Sequence, residues 1–443
     1  MRISTSQIYQ QGITNILNKQ TEVARLQQQI ATQKRILAPS DDPAASAQVL
    51  SIENATSTTD QYQKNADMAT SRLQLEEGAI ASASEIMVRA RELALQGRSG
   101  QYSDRERGFL AVEIRQLLGQ MMSLANTVDG NGDYLFAGYQ AKTKPFTIDG
   151  STGSVQYNGD QGVRVLDISP TNTVADGDPG SEVFMMMRGG NGQFATSANS
   201  ANTGTGVINV GSVTDASAFL AHDYRIVFTS ATTYDVLDDT SGAVVLGGQT
   251  YASGSSIEFD GQTMIITGAP AAGDEFNVSP SAYQSVFETL DRMATALETP
   301  AGTPAANAQL QNALNSAIAD IDRAQDNFLE VRAAIGARQN IIEAQKSFNE
   351  DLKLQLTGLR SSLEDVDLIE AASGLELSAP SPCRRRRPRS PGCRTRACSI
   401  TCNAHRLGIE PKQPCWHIQC TISARSTVRS RRRLRTGPIR KWK

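Results

Sequence analysis

Residues 1–378 contain no cysteine, no tryptophan and a single histidine, His222. Without thiols this stretch cannot form a disulfide, a zinc–thiolate site or a cysteine nucleophile. One imidazole falls short of the two or three that most catalytic zinc sites use. A histidine-dependent triad would have to be built on His222 alone, in a chain with no nucleophile-elbow motif. His222 precedes a strand-like run, Tyr224–Phe228, and reads as a surface histidine near a strand start. No enzyme activity, cofactor or metal is therefore expected. No window of about 18 apolar residues occurs, so no helix is expected to span or bind a membrane. The opening, Met1-Arg2-Ile3-Ser4-Thr5-Ser6-Gln7, has no apolar core of a cleaved secretory signal. Taken alone, these absences point to the cytoplasm unless export uses another route.

Charge of one sign is missing from each part of the chain in turn. The formal −3 averages two unlike segments. Residues 379–443 hold 15 Arg and 3 Lys against the single acid Glu410, a net +17, which leaves 25 basic and 45 acidic side chains, a net −20, for residues 1–378. All six cysteines (Cys383, Cys393, Cys398, Cys402, Cys415, Cys420) and both tryptophans lie in the basic segment, and every Phe and Tyr lies before it. Such a break is hard to obtain within one folded unit. The segment 379–443 is expected to be a disordered, non-native tail of the kind that out-of-frame reading of a GC-rich region produces. Its cysteine spacings match no standard zinc pairing, and Arg384–Arg387 and Arg431–Arg433 leave a nucleic-acid patch as a rival reading.

What is present before residue 379 is helical periodicity. Tyr9, Ile16, Val23, Ile30 and Leu37 recur every seven residues on one seam, with Gln and Lys around them, a thin stripe suited to helix–helix assembly. Ala38-Pro39 stops it. Asp41 or Asp42 then supplies an N-cap and Pro43 a first helical residue, predicting a helix over 44–96; the two aspartates read as caps and not as an acid–base pair. Ser103 and Glu106 have capping-box spacing. Beyond them Leu110, Ile114, Leu117, Met121, Leu124 and Val128 form a heptad over 103–129. A short helix carrying Val286, Leu290, Met293 and Leu297 ends at Pro300. A long one follows Pro304 through Leu314, Ile321, Phe328, Val331, Ile335, Leu352, Leu356, Leu359 and Leu363. A helix of that length needs a partner along most of its course.

Between these helical ends the composition shifts to Gly, Thr, Ser, Asp and Asn with short β-branched runs. Strands are predicted at Val163–Ile168, Tyr224–Phe228, Thr233–Leu237, Ala243–Leu246, Ser256–Phe259 and Thr263–Thr267. Asp129, Asn131 and Asp133 match the first three ligands of an EF-hand loop, but Tyr134 stands where that loop needs Gly and Gln140 where it needs a bidentate Glu. A Gly-rich turn is expected there. The fold class is α+β: a long antiparallel helical rod made by both chain ends, with an inserted β-rich domain. The expected divisions are 1–40 (first helix), 41–145 (rod), 146–282 (β-rich insert), 283–378 (rod) and 379–443 (tail).

Five stretches also carry a resemblance: MRISTSQIYQQGITNILNKQ at the start, LAPSDDPAASAQVL (37–50), NGDYLFAGYQAKTKPF (131–146), VRAAIGARQN (331–340) and SSLEDVDLIEAASGLEL (361–377). Together they resemble the flagellin superfamily, and within it the branch found at the hook–filament junction. The resemblance implies a structural, self-assembling part of the bacterial flagellum whose first helix lines a central channel. It implies an adapter between hook-associated protein 1 and flagellin, present as a ring of copies, secreted through the flagellar type III apparatus with an export chaperone, and serving motility. Filament flagellin is the nearest alternative. The resemblance also implies a further striped helix after Leu377, paired with Tyr9, Ile16, Val23 and Ile30, where this chain instead turns basic.

Overall fold

A computed structural model describes residues 5–151 and 153–378. The chain divides into two compact units between Pro380 and Ser381. The second unit, and with it the expected disordered tail, its zinc reading and its nucleic-acid reading, lies outside the described residues.

Seven helices are described: α1 Thr5–Thr32, α2 Pro43–Gly97, α3 Asp104–Ala125, α4 Gly180–Phe184, α5 Val286–Glu298, α6 Pro304–Glu364 and α7 Leu368–Ser378. Their starts follow local chemistry. Asp42 caps α2 by accepting from Ala45 N at 3.0 Å, with Pro43 at the first position. Ser103 and Glu106 close a reciprocal capping box on α3. Ser285 and Thr303 accept from the N–H groups of Glu288 and Ala306 to cap α5 and α6. At 1.5 Å per residue, the 61 residues of α6 run about 90 Å.

The two longest helices lie antiparallel, and charged pairs keep one register along them: Asp60–Lys353 at 2.6 Å, Asp67–Lys346 at 2.8 Å, Glu77–Arg332 at 2.8 Å and Arg91–Asp322 at 2.8 Å. These pairs are partly exposed and each adds little. The larger contribution is apolar. Leu73, Ile80, Met87 and Leu93 of α2 are buried with Leu314, Ile321, Phe328 and Ile335 of α6, with Ile114 and Met121 of α3, and with Leu290 and Met293 of α5. Gly97 is the last residue of α2 and stands close against α5: a Cβ there would lie 2.4 Å from the Leu297 side chain.

Two helix boundaries differ from the periodicity. The seam through Leu37 predicts helix to residue 37, but α1 ends at Thr32. Gln33 takes a left-handed φ of 60°, and residues 34–35 bond across to the end of α6: the Lys34 backbone forms an antiparallel β-bridge with that of Asp365, and Arg35 N donates to Glu364 O. Val128 is not in α3 and is exposed. The helix stops at Ala125 because the Asn126 amide accepts from Phe146 N at 3.0 Å and donates to Phe146 O, turning the chain towards the strand Phe146–Ile148.

All six predicted strands overlap observed ones, but the stretch 146–282 is not one insert. Residues 126–188 form two small hairpins and α4, and their apolar side chains belong to the helical core. Phe184 sits at its centre, with ring centroids 5.0 Å from Phe136, 5.6 Å from Phe146, 6.1 Å from Phe287 and 5.9 Å from Phe328. Residues 194–278 have a separate core around Tyr224, Ile226, Phe228, Phe259, Ile266 and Phe276. Its antiparallel five-stranded sheet runs, in spatial order, Ala243–Thr250, Thr233–Asp238, Tyr224–Ser230, Glu275–Pro280 and Phe194–Ala198. Polar side chains of α6 seat it. Asn312 accepts from Ile208 N at 2.9 Å and donates to Gly206 O, and Asp320 accepts from Gly190 N at 2.9 Å.

Phe184→Ala should destabilise the helical unit by about 3–5 kcal/mol, because it empties a fully buried aromatic site that joins both segments. Denaturant unfolding followed by circular dichroism checks this, and a loss under about 1 kcal/mol would contradict the aromatic centre described.

Candidate assembly surface

The residues on the N-terminal seam fall into two groups. Tyr9 and Ile16 are 75% and 61% exposed, and Ile8, Ile13 and Leu17 beside them are also more than half exposed. Val23, Ile30 and Leu37 are half-buried. The division follows α7. This helix lies along the C-terminal half of α1, where Leu26 faces Gly374 and Ala371 is buried. The N-terminal half of α1 therefore carries an apolar stripe with no cover among the described residues. On α7 itself, Ile369 and Leu377 remain 83% and 88% exposed. Fully burying a side chain of this size is worth about 1.5–3 kcal/mol. The α1–α7 pair thus leaves a set of large apolar side chains without cover among the described residues.

The connection into α2 is fixed by carboxylates. Asp41 Oδ2 accepts from Leu37 N and Ala38 N, both at 3.0 Å. The Ala38 and Leu37 N–H groups hold the Asp41 carboxyl below the ordinary range, and the Ala45 N–H does the same for Asp42, helped by Arg35. Arg35 also donates to Leu363 O at 2.8 Å, and Val366 N donates to Gln33 O at 3.0 Å. The links α1–α2 and α6–α7 are therefore stitched together, so α1 and α7 enter and leave the helical frame side by side. Beside this stitch runs a groove of about 690 Å³ lined by Ile36, Leu37, Pro39, Pro43, Val49 and Leu50.

Of the predicted rod residues, Ile114, Leu117, Met121, Leu314, Ile321, Phe328 and Ile335 are buried, and Leu110, Leu124, Val331, Leu352, Leu356 and Leu363 are half-buried. Leu359 is 55% exposed. Seven-residue spacing also missed an outward row: Ile341 and Phe348 are exposed one position before the buried Ile342 and Asn349. Phe109, with the Arg105 guanidinium 5.9 Å from its ring centroid, is exposed on α3. An apolar residue just off a buried heptad position is the signal that would have found the first pair.

The other candidates resolve into local structure. Asp129 Oδ1 accepts from Asn131 N and Asp133 N, and its Oδ2 takes Arg72 at 2.6 Å, so the EF-hand-like stretch is a turn closed by its own carboxylate. His222 Nδ1 lies 2.8 Å from Asp238 Oδ2, and the Ser241 hydroxyl donates to that same carboxylate, not to the imidazole. Among the described residues no group of three or more His, Cys, Asp or Glu side chains could hold a metal, and no helix is long and apolar enough to cross a membrane.

Comparison with known proteins places this geometry. Residues 3–141 match the bacterial flagellin N-terminal helical region, and residues 197–280 match a flagellar hook-associated protein 1 D2-like domain. The flagellar hook-associated protein 3 of Salmonella typhimurium is 35% identical over 184 residues, 42% of this chain, and the chain spans 57% of the length of that curated relative. The crystal structure of FlgL from Xanthomonas campestris is 38% identical, superposes with a TM-score of 0.66, and is covered over 99% of its length by 70% of this chain. That of hook-associated protein 3 from Legionella pneumophila is 33% identical with a TM-score of 0.67, covering 98% of its chain and 70% of this one.

Ile13→Ser with Ile16→Ser should leave the stability of the isolated protein within about 0.5 kcal/mol, since both side chains already face solvent. Ala371→Glu, by contrast, should detach α7 from α1. Thermal unfolding and amide exchange across Leu368–Ser378 distinguish the two, and a large loss of stability in the serine variant would show that the stripe is already covered.

Proposed function

Because the chain belongs to the flagellar hook-associated protein 3 family of the flagellin superfamily, we propose that it is a structural adapter at the hook–filament junction, seated on hook-associated protein 1 and presenting a ring of its own copies to flagellin. The observation that carries this reading is the apolar stripe of α1, at Ile8, Tyr9, Ile13, Ile16 and Leu17, which no described residue covers. A stripe that a folded monomer leaves wet is stabilised only when subunits assemble.

The resemblance of residues 197–280 to a hook-associated protein 1 domain favours the junction over the filament. The role is mechanical, with no catalytic step. Export through the flagellar type III apparatus fits a body without cysteine, and an export chaperone would shield the α1 stripe before assembly.

Hooks ending in hook-associated protein 1, incubated with this protein and then with flagellin monomers, should nucleate filaments, scored by electron microscopy. Omitting the protein should leave the hooks bare, and the Ile13→Ser/Ile16→Ser variant should give at least tenfold fewer filaments. Long filaments grown from this protein alone would favour the flagellin reading. Filament numbers unchanged by its omission would overturn the adapter.

A further inference from the structure

Glu76 lies in the run Leu73-Gln74-Leu75-Glu76-Glu77, where a charged side chain is expected in solvent, yet it is 1% exposed. Its Oε1 accepts from Asp178 N at 2.9 Å. Its Oε2 is enclosed and has no hydrogen-bond partner among the described residues.

Among the described residues, every cation that faces it is already engaged. On its own helix, Arg72 pairs with Asp129 at 2.6 Å and Asp176 at 3.3 Å. From α6, Arg338 grips both oxygens of Asp178 at 2.9 and 2.7 Å. From the segment before the strand Val165–Asp167, Arg164 bonds Asp176. Asp133, on the loop after α3, pairs with Lys142, and Glu182 on α4 is exposed. Three guanidinium groups thus meet three aspartates, Asp129, Asp176 and Asp178. Glu76 is the fourth carboxyl, and the cluster is neutral only if this one holds a proton. A buried unpaired carboxylate would carry a large desolvation penalty.

We propose that Glu76 is a proton-held latch: in its neutral form it keeps the Asp176–Phe184 segment clamped between α2 and α6, and loss of its proton in alkaline solution releases that segment. Burial, and after it the Asp178 carboxylate, push the Glu76 pKa up to about 8, against the opposing pull of the Asp178 N–H, Arg338 and Arg72. The folded value lies above the unfolded one, so the stability it contributes is fully present below the unfolded value of 4.5. It is lost as pH rises towards the folded value. Phe184 ends the clamped segment, so its release also loosens the aromatic centre.

The test is equilibrium unfolding of the full chain between pH 5 and pH 9.5, with amide exchange of residues 176–184 corrected for its intrinsic pH dependence. In the wild type, the one latch proton should shift the unfolding equilibrium by about tenfold per pH unit below its folded pKa. Glu76→Gln, which mimics the neutral acid, should remove that component, so its stability advantage grows with pH and then levels off. Above the transition, exchange in residues 176–184 should quicken in the wild type and not in Glu76→Gln. Asp178→Asn frees Arg338 to attract the Glu76 carboxylate and should move the transition to lower pH, which keeps the test available if Glu76→Gln folds poorly. Parallel pH profiles for wild type and Glu76→Gln, or an Asp178→Asn profile that overlays the wild type, would overturn the latch.

Discussion

The structure depends on the antiparallel register of α2 against α6. Neither helix could persist alone at such length, and each supplies the other with a continuous apolar partner from Ala66 and Leu73 to Leu93 on one side and from Leu314 to Ile342 on the other. The remaining elements attach to this pair. α3 and α5 pack beside it, tied to each other by Arg115 with Glu298 at 2.7 Å and Asp291 at 3.0 Å. The segment 126–188 covers it through Phe136, Phe146 and Phe184, and the sheet domain is seated on the polar row Asn312, Ser316 and Asp320 of α6.

The pair also divides the molecule into finished and unfinished surface. Where α2, α3, α5 and α6 meet, a continuous apolar core is buried. Towards the far end of α6, Leu354 and Leu359 are exposed, and the N-terminal half of α1 has no cover among the described residues.

Much of this was legible in the sequence because helix periodicity and capping are local. The heptads of α3 and α6, the cap at Asp42-Pro43 and the Ser103–Glu106 box each stand within a few residues of one another. What was not legible depends on distant partners. The end of α1 at Thr32 is set by backbone bonds to residues 364–366, and the end of α3 by Asn126 reaching Phe146. The strands Phe194–Ala198 and Glu275–Pro280 pair with each other across some 80 residues of chain; the first is five residues long with only small and polar side chains after Phe194, and the second has only Phe276 and Val278 to mark its alternation, so each is too short a signal to stand out. Glu76 looks like any solvated helix residue until the Asp176–Asp178 segment folds over it. The division of residues 146–282 into two parts was hidden for the same reason, since whether Phe146 and Phe184 join the helices or the sheet is a tertiary choice. On α1 the seam Tyr9, Ile16, Val23, Ile30, Leu37 is continuous in sequence, while its burial changes midway, where the described residues of α7 no longer lie alongside it.

The central claim is that the N-terminal half of α1 gains its partner by assembly. Amide hydrogen exchange of residues 8–17 tests it most directly, measured on the isolated protein and on the protein docked to hook ends. Exchange should be rapid in the isolated protein, where no described residue covers this half of the helix, and slowed at least a hundredfold once docked. Equal protection in both states would contradict it.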